Sequence, residues 1–162
     1  MKAVYVENKM FKKISNIAFA VYIFILFVVS FLGTRVFSLR FQADYNASYN
    51  IIPFKTILTY LLNFNKYNFD TWFFNTLGNL ILFLPLGVLL PLTFRTIRLP
   101  KVIFISIILS LTIEVIQFLT KIGAFDIDKI ILNTLGCILG FYAFNLIYKL
   151  TQKTGDNDSV SK

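Results

Sequence analysis

Residues 71–94 read TWFFNTLGNLILFLPLGVLLPLTF, twenty-four residues without a charge between Asp70 and Arg95. A helix needs about 20 such residues to cross the hydrocarbon of a bilayer. Three further runs flank this one. Residues 14–34 lie between Lys13 and Arg35, and residues 130–148 between Lys129 and Lys149. Residues 102–120 lie between Lys101 and Lys121, with Glu114 as their single charge. Of the 162 residues, 57% are apolar and 15% charged, against about 45–50% and about 25% in soluble domains. The sequence therefore predicts an all-α, polytopic membrane protein, a bundle of four transmembrane helices.

Lys12 and Lys13 ahead of the first run resemble the start of a signal peptide. That run is longer than the usual 7–15 apolar residues, roughly, and no A-x-A site follows it. A retained helix is expected. The organisation read from the sequence is a cytoplasmic segment over 1–13, a transmembrane domain over 14–149 and a disordered cytoplasmic tail over 150–162. The tail, TQKTGDNDSVSK, is polar and lacks periodicity.

The net charge of +8 is explained by membrane flanks. With the N-terminus inside, the inner segments hold ten Lys and Arg residues and the outer loops six. Both termini are then expected in the cytoplasm. Nucleic-acid binding would need the basic residues clustered on one face, and no nucleic-acid partner is expected. Histidine is absent and Cys137 is the sole cysteine. Ser-His-Asp triads, His-based metal sites and thiolate zinc cages are thereby excluded, and no cofactor is expected.

The loop between the first two spans carries a helical signal. Phe54, Ile57, Leu58, Leu61 and Leu62 fall on one helical face, and Pro53 suits a first helical position. A short amphipathic helix over 53–63 is expected, lying on the outer leaflet or over the mouth of the bundle.

Polar side chains inside a bilayer are costly, so their positions inform. Ser106, Ser110, Glu114 and Gln117 fall within roughly 80° of one another on the third span. Asn75 and Asn79 are one turn apart on the second. Asp126 and Asn133 share a face at the start of the fourth, with Asp128 beside them. At about 1.5 Å of rise per residue, Glu114, Gln117, Asn75, Asn79 and Asn133 all lie on the outer side of their midpoints. A polar pocket reachable by water and open to the outside follows. In the bland alternative Glu114 is a hydrogen-bonding hub between helices, neutral or paired with Lys121 or Lys129. Asp126 and Asp128 would then be loop charges or a cap on the fourth helix. Gly136 and Gly140 form a GxxxG that permits close helix packing. Gly87 is read the same way, and Pro85 should bend the second span.

The stretches YNIIPF at 49–54, GNLILFLPLGVLLPL at 78–92, LSLTIEVIQF at 109–118 and GAFDIDKIILNTLGCILG at 123–140 resemble the VanZ-like family of bacterial membrane proteins. By that resemblance Asn50, Pro53, Phe54, Asn79, Phe83, Pro85, Gly87, Glu114, Gln117, Asp126, Asn133, Gly136 and Gly140 occupy motif positions. Where the family often carries a second acid, this chain has Lys129, with Asp128 next to it. A basic residue there weighs against two-carboxylate chemistry.

The resemblance implies a protein of the bacterial cell membrane that engages lipid-linked or lipid-like molecules. The partners it implies are membrane lipids, a lipid-linked wall precursor or a lipoglycopeptide. It also implies lowered sensitivity to teicoplanin-type drugs. Two alternatives stand beside it. One is an intramembrane enzyme using Glu114 as acid or base, with Asn79, Gln117 and Asn133 orienting the substrate. Ser110 is its nearest nucleophile, and without a stronger base it is a weak one; the sequence leans away from catalysis. The other is an accessory subunit packed against another membrane protein, or a homodimer.

Overall fold

A computed structural model describes residues 9–33 and 49–160, the last eight for their backbone alone. The sequence expectations for 1–8, 34–48, 161 and 162 lie outside the described residues, among them the loop charges Arg35 and Arg40. Four helices are long and apolar enough to cross a membrane: α1 (Lys9–Gly33), α3 (Phe69–Thr93), α4 (Leu99–Leu119) and the first part, Ile127–Gln152, of α5 (Ile127–Val160). The short α2 (Lys55–Leu62) stands between α1 and α3 in the chain. The bundle of four apolar helices with one short amphipathic helix is the architecture the sequence predicts.

The boundaries differ in informative ways. α1 takes in Lys9, Lys12 and Lys13, which the sequence places in a separate N-terminal segment. Their long stems accompany a helix end while their ammonium groups reach for water. α4 opens with Pro100 in its first turn, where a missing N–H costs nothing. α5 runs through to Val160, into the stretch that the sequence reads as a tail. Once a helix is nucleated, each added residue gains one hydrogen bond. Thr151 Oγ1 and Gln152 Nε2 donate back to Tyr148, at 2.9 and 2.5 Å, and hold the first turn past the apolar span. The amphipathic helix begins at Lys55 rather than at Pro53. Pro53 and Phe54 instead form a turn closed by Lys55 N–H on the Ile52 carbonyl at 3.4 Å, with Phe54 at φ 66° and ψ 0°. That is type II geometry, with proline in its favoured second place and a bulky residue where glycine is usual.

The tightest packing joins α3 and α5, which run in the same direction. A Cβ on Gly136 would stand 2.0 Å from the Leu80 carbonyl oxygen, and one on Gly87 would stand 1.9 Å from that of Cys137. Only glycine lets two helix backbones approach this closely. Leu26, Phe83, Leu86, Leu90, Val102, Ile113 and Cys137 fill the core. Tyr22 on α1 donates its hydroxyl to the Leu82 carbonyl on α3 at 2.7 Å. α3 continues through Pro85 and Pro91. Large apolar side chains such as Phe24, Phe104 and Leu146 are exposed along the bundle, as hydrocarbon surroundings require.

Two features carry no periodic signal. Wide π-turns occupy Val29–Gly33 in α1 and Phe74–Gly78 in α3. A two-residue parallel pairing also joins β1 (Tyr49–Asn50) to β2 (Phe125–Asp126), with Asn50 opposite Asp126. This pairing brings the segment before α2 against the turn before α5.

Candidate functional site: a polar network beneath the amphipathic helix

The start of α5 is the hub. Asp126 stands just ahead of that helix, and its Oδ1 accepts the Asp128 N–H at 3.0 Å, as a helix-capping carboxylate does. The same oxygen accepts Asn50 Nδ2 at 2.9 Å. Asn50 Nδ2 also donates to Thr56 Oγ1 at 3.0 Å, which ties β1 to α2.

Asp128 is fully buried. Its carboxylate accepts the backbone N–H groups of Phe54 at 2.5 Å, Thr56 at 2.7 Å and Ile57 at 3.1 Å. The first turn of a helix leaves its N–H groups without partners, and a Ser, Thr, Asp or Asn at the N-cap normally serves them. Phe54, the N-cap of α2, has no such oxygen. Asp128 supplies it from more than seventy positions along the chain. Asp128 is thus neither a solvated loop charge nor a cap on its own helix, the two bland roles read from the sequence.

Glu114 lies below this junction and is 2% exposed. Its Oε2 accepts the Asp126 N–H at 3.0 Å, and its Oε1 lies 3.5 Å from Lys129 Nζ. Of the two lysines the sequence offers as partners, Lys129 is the one in contact. A buried carboxylate is tolerable when it is paired and hydrogen-bonded, and both conditions hold. One turn towards the middle of the helix, Ser110 Oγ accepts Asn133 Nδ2 at 2.7 Å. Gln117 Nε2 donates to the Ser30 carbonyl at 2.8 Å, within the π-turn of α1. The Gln117 carbonyl receives the N–H groups of Ile122 and Gly123 at 3.0 and 3.2 Å. These two bonds fold the chain from α4 back towards β2.

The structure therefore gathers Glu114, Asp126, Asp128 and Asn50 into one hydrogen-bonded set, with Ser110, Asn133 and Gln117 on the adjoining faces of α4 and α5. The amides of α3 donate within their own helix, and Asn75 also lines the cleft described below. Asn75 Nδ2 bonds the Thr71 carbonyl at 2.7 Å and Asn79 Nδ2 bonds the Phe74 carbonyl at 3.1 Å. The sequence reading joins them to the stripe on α4. Both amides donate to carbonyls of their own helix, around the π-turn at Phe74–Gly78.

Above the network a cleft of about 350 Å³ opens between α2, the β1–β2 pairing and the start of α5. Asn50, Lys55, Thr56, Asn75, Asp126 and Lys129 supply its polar lining, and Tyr49, Tyr60 and Phe125 its aromatic walls. Pockets of about 300–1,000 Å³ accommodate small molecules or headgroups. Of the sequence candidates, Asn50, Asn75 and Asp126 line the cleft. Glu114 meets it through Lys129. Lys55 and Thr56 were not singled out by sequence, and the polar positions on the inner face of an amphipathic helix were the available signal. Among the described residues no group of three or more His, Cys, Asp and Glu side chains has the arrangement of a metal site.

Fold and site together define a class: a polytopic helical membrane protein whose polar side chains are collected at one end, under a short amphipathic helix. The profile of the family described as VanZ/LLP1 matches residues 19–148, and the chain belongs to that family. Protein VanZ of Enterococcus faecium is 35% identical over 133 residues, which cover 81% of this chain and 77% of that relative. No solved structure matches the chain.

Proposed function

We propose that this chain lowers the sensitivity of a bacterial cell to teicoplanin-type lipoglycopeptides. In this reading it engages a lipid-like molecule, either the drug's acyl region or a lipid-linked wall precursor, at the cleft beside α2. The observation that carries the reading is the cleft itself, a polar recess about 350 Å³ in volume at one end of an otherwise apolar bundle. The ten-to-six distribution of Lys and Arg supports an orientation with that end outside and both termini in the cytoplasm. A large amphiphile arriving from the outer leaflet would meet α2 and the cleft together. Membership of the VanZ/LLP1 family supports the link to this class of drug. The catalytic alternative is the weaker one: both oxygens of Glu114 are engaged, and Ser110 Oγ is bonded to the Asn133 amide.

The test is drug sensitivity in a susceptible bacterium expressing the chain. Glu114→Gln and Asp126→Asn are each expected to return sensitivity to that of cells without the protein, at unchanged membrane abundance. Reporter fusions read the orientation of the carboxyl end in the same cells. Full protection by both well-expressed variants, or a carboxyl end outside the cell, would refute the reading.

A further inference from the structure

The cleft has a chemical bias that narrows what it can take, and this inference rests on the functional reading above. Its charged lining is two ammonium groups, Lys55 and Lys129, and one carboxylate, Asp126. One oxygen of that carboxylate is engaged, because Oδ1 accepts both Asn50 Nδ2 and the Asp128 N–H. Glu114 lies beneath the cleft and offsets Lys129 at 3.5 Å. That separation is looser than a short charge-assisted hydrogen bond, so the lysine keeps protons to give upward. Among the described residues no salt bridge involves Lys55, which stands exposed at the rim. Thr56 Oγ1 accepts from Asn50, leaving the proton of its own hydroxyl to be donated. The lining therefore sets two cationic donors and the Thr56 hydroxyl against the remaining oxygen of one carboxylate. Asp128, the third acid nearby, faces the amides of α2 and not the cleft.

We propose that the cleft binds a phosphate-type oxyanion, held between Lys55, Lys129 and the Thr56 hydroxyl. A phospholipid headgroup and a free phosphate share this chemistry. Lys129 is a poor probe, since removing it strands the buried carboxylate of Glu114. Lys55 is exposed and can be reversed in charge without disturbing the network.

The test uses the purified full chain in detergent and calorimetric titration with dioctanoyl phosphatidic acid. Dioctanoylglycerol, which lacks the phosphate, and inorganic phosphate are the comparison ligands. The phosphatidic acid is expected to bind about ten-fold or more tighter than the diacylglycerol. Lys55→Glu is expected to erase that preference, and Lys55→Arg to keep affinity within about three-fold. Lys9→Gln, Lys12→Gln and Lys13→Gln combined, on the far end of α1, should leave it unchanged. Displacement of the lipid by inorganic phosphate would assign the site to the free oxyanion, and lack of displacement to the lipid headgroup. Equal binding by wild type and Lys55→Glu, loss of binding in the α1 triple variant, or loss only in Asp126→Asn would each overturn the inference. None of these outcomes depends on the drug-sensitivity assay, so failure here and failure of the functional reading remain distinguishable.

Discussion

A chain carrying Gly136→Val is expected to leave the membrane in mild detergent as a broad, aggregated population, where the wild type elutes as a single species. The first atom of the new side chain would lie 2.0 Å from the Leu80 carbonyl oxygen and 2.8 Å from its carbon. Both belong to the α3 backbone, which cannot turn aside as a flexible side chain would. The helices must separate, and the match of Gly87 and Gly140 against the same seam is lost with them. Overpacking a core usually costs about 1–3 kcal/mol; a clash with backbone belongs at or beyond the upper end. Leu139→Val, on the half-exposed face of the same helix, is the control and should elute as the wild type does. Size-exclusion profiles and thermal midpoints of the two variants, compared side by side, check the claim.

Asp128→Ala should have the second largest effect, local in kind. It deprives the N–H groups of Phe54, Thr56 and Ile57 of their shared acceptor. Each buried donor left without a partner costs about 1–3 kcal/mol. Water entering by the cleft recovers part of this, so a net loss of roughly 3 kcal/mol is expected. The left-handed backbone at Phe54 adds to the effect, since that conformation costs a non-glycine residue about 1–2 kcal/mol and the Asp128 bond helps to hold it. The expected result is rapid hydrogen exchange at residues 54–57 with protection in α3 and the apolar part of α5 retained. Asp128→Asn keeps an acceptor oxygen and should lose less. Unchanged exchange at 54–57 in Asp128→Ala would show that α2 is held by something else.

The parts of this architecture legible in the sequence are those governed by one-dimensional rules. Length and charge-free composition gave the four spans, because a bilayer sets a minimum run of apolar residues. Helical spacing gave the polar face of α4 and its partners Asp126 and Asn133. The GxxxG of Gly136 and Gly140 marked the α3–α5 seam, although the spacing alone does not say which helix lies opposite. What escaped depends on contacts distant in sequence or on irregular backbone. Asp128 caps α2 rather than α5, and nothing local to either segment encodes that exchange. The β1–β2 pairing is two residues long, too short for alternation to register. The π-turn at Phe74–Gly78, around which Asn79 donates to the Phe74 carbonyl, leaves no mark in even spacing. Lys129 interrupts an acidic motif in sequence, and in space it is the counter-charge that makes the burial of Glu114 tolerable.

The segment before α2 docks on the segment before α5, and this docking closes the polar network and shapes the cleft. Tyr49 and Phe125 are register partners in that docking. Cysteines placed at both positions, in a chain with Cys137→Ser, test it directly in native membranes. Mild oxidation should join them in high yield, read by mass spectrometry of the linked peptides. Failure to join, with both thiols still open to a maleimide reagent, would contradict the account.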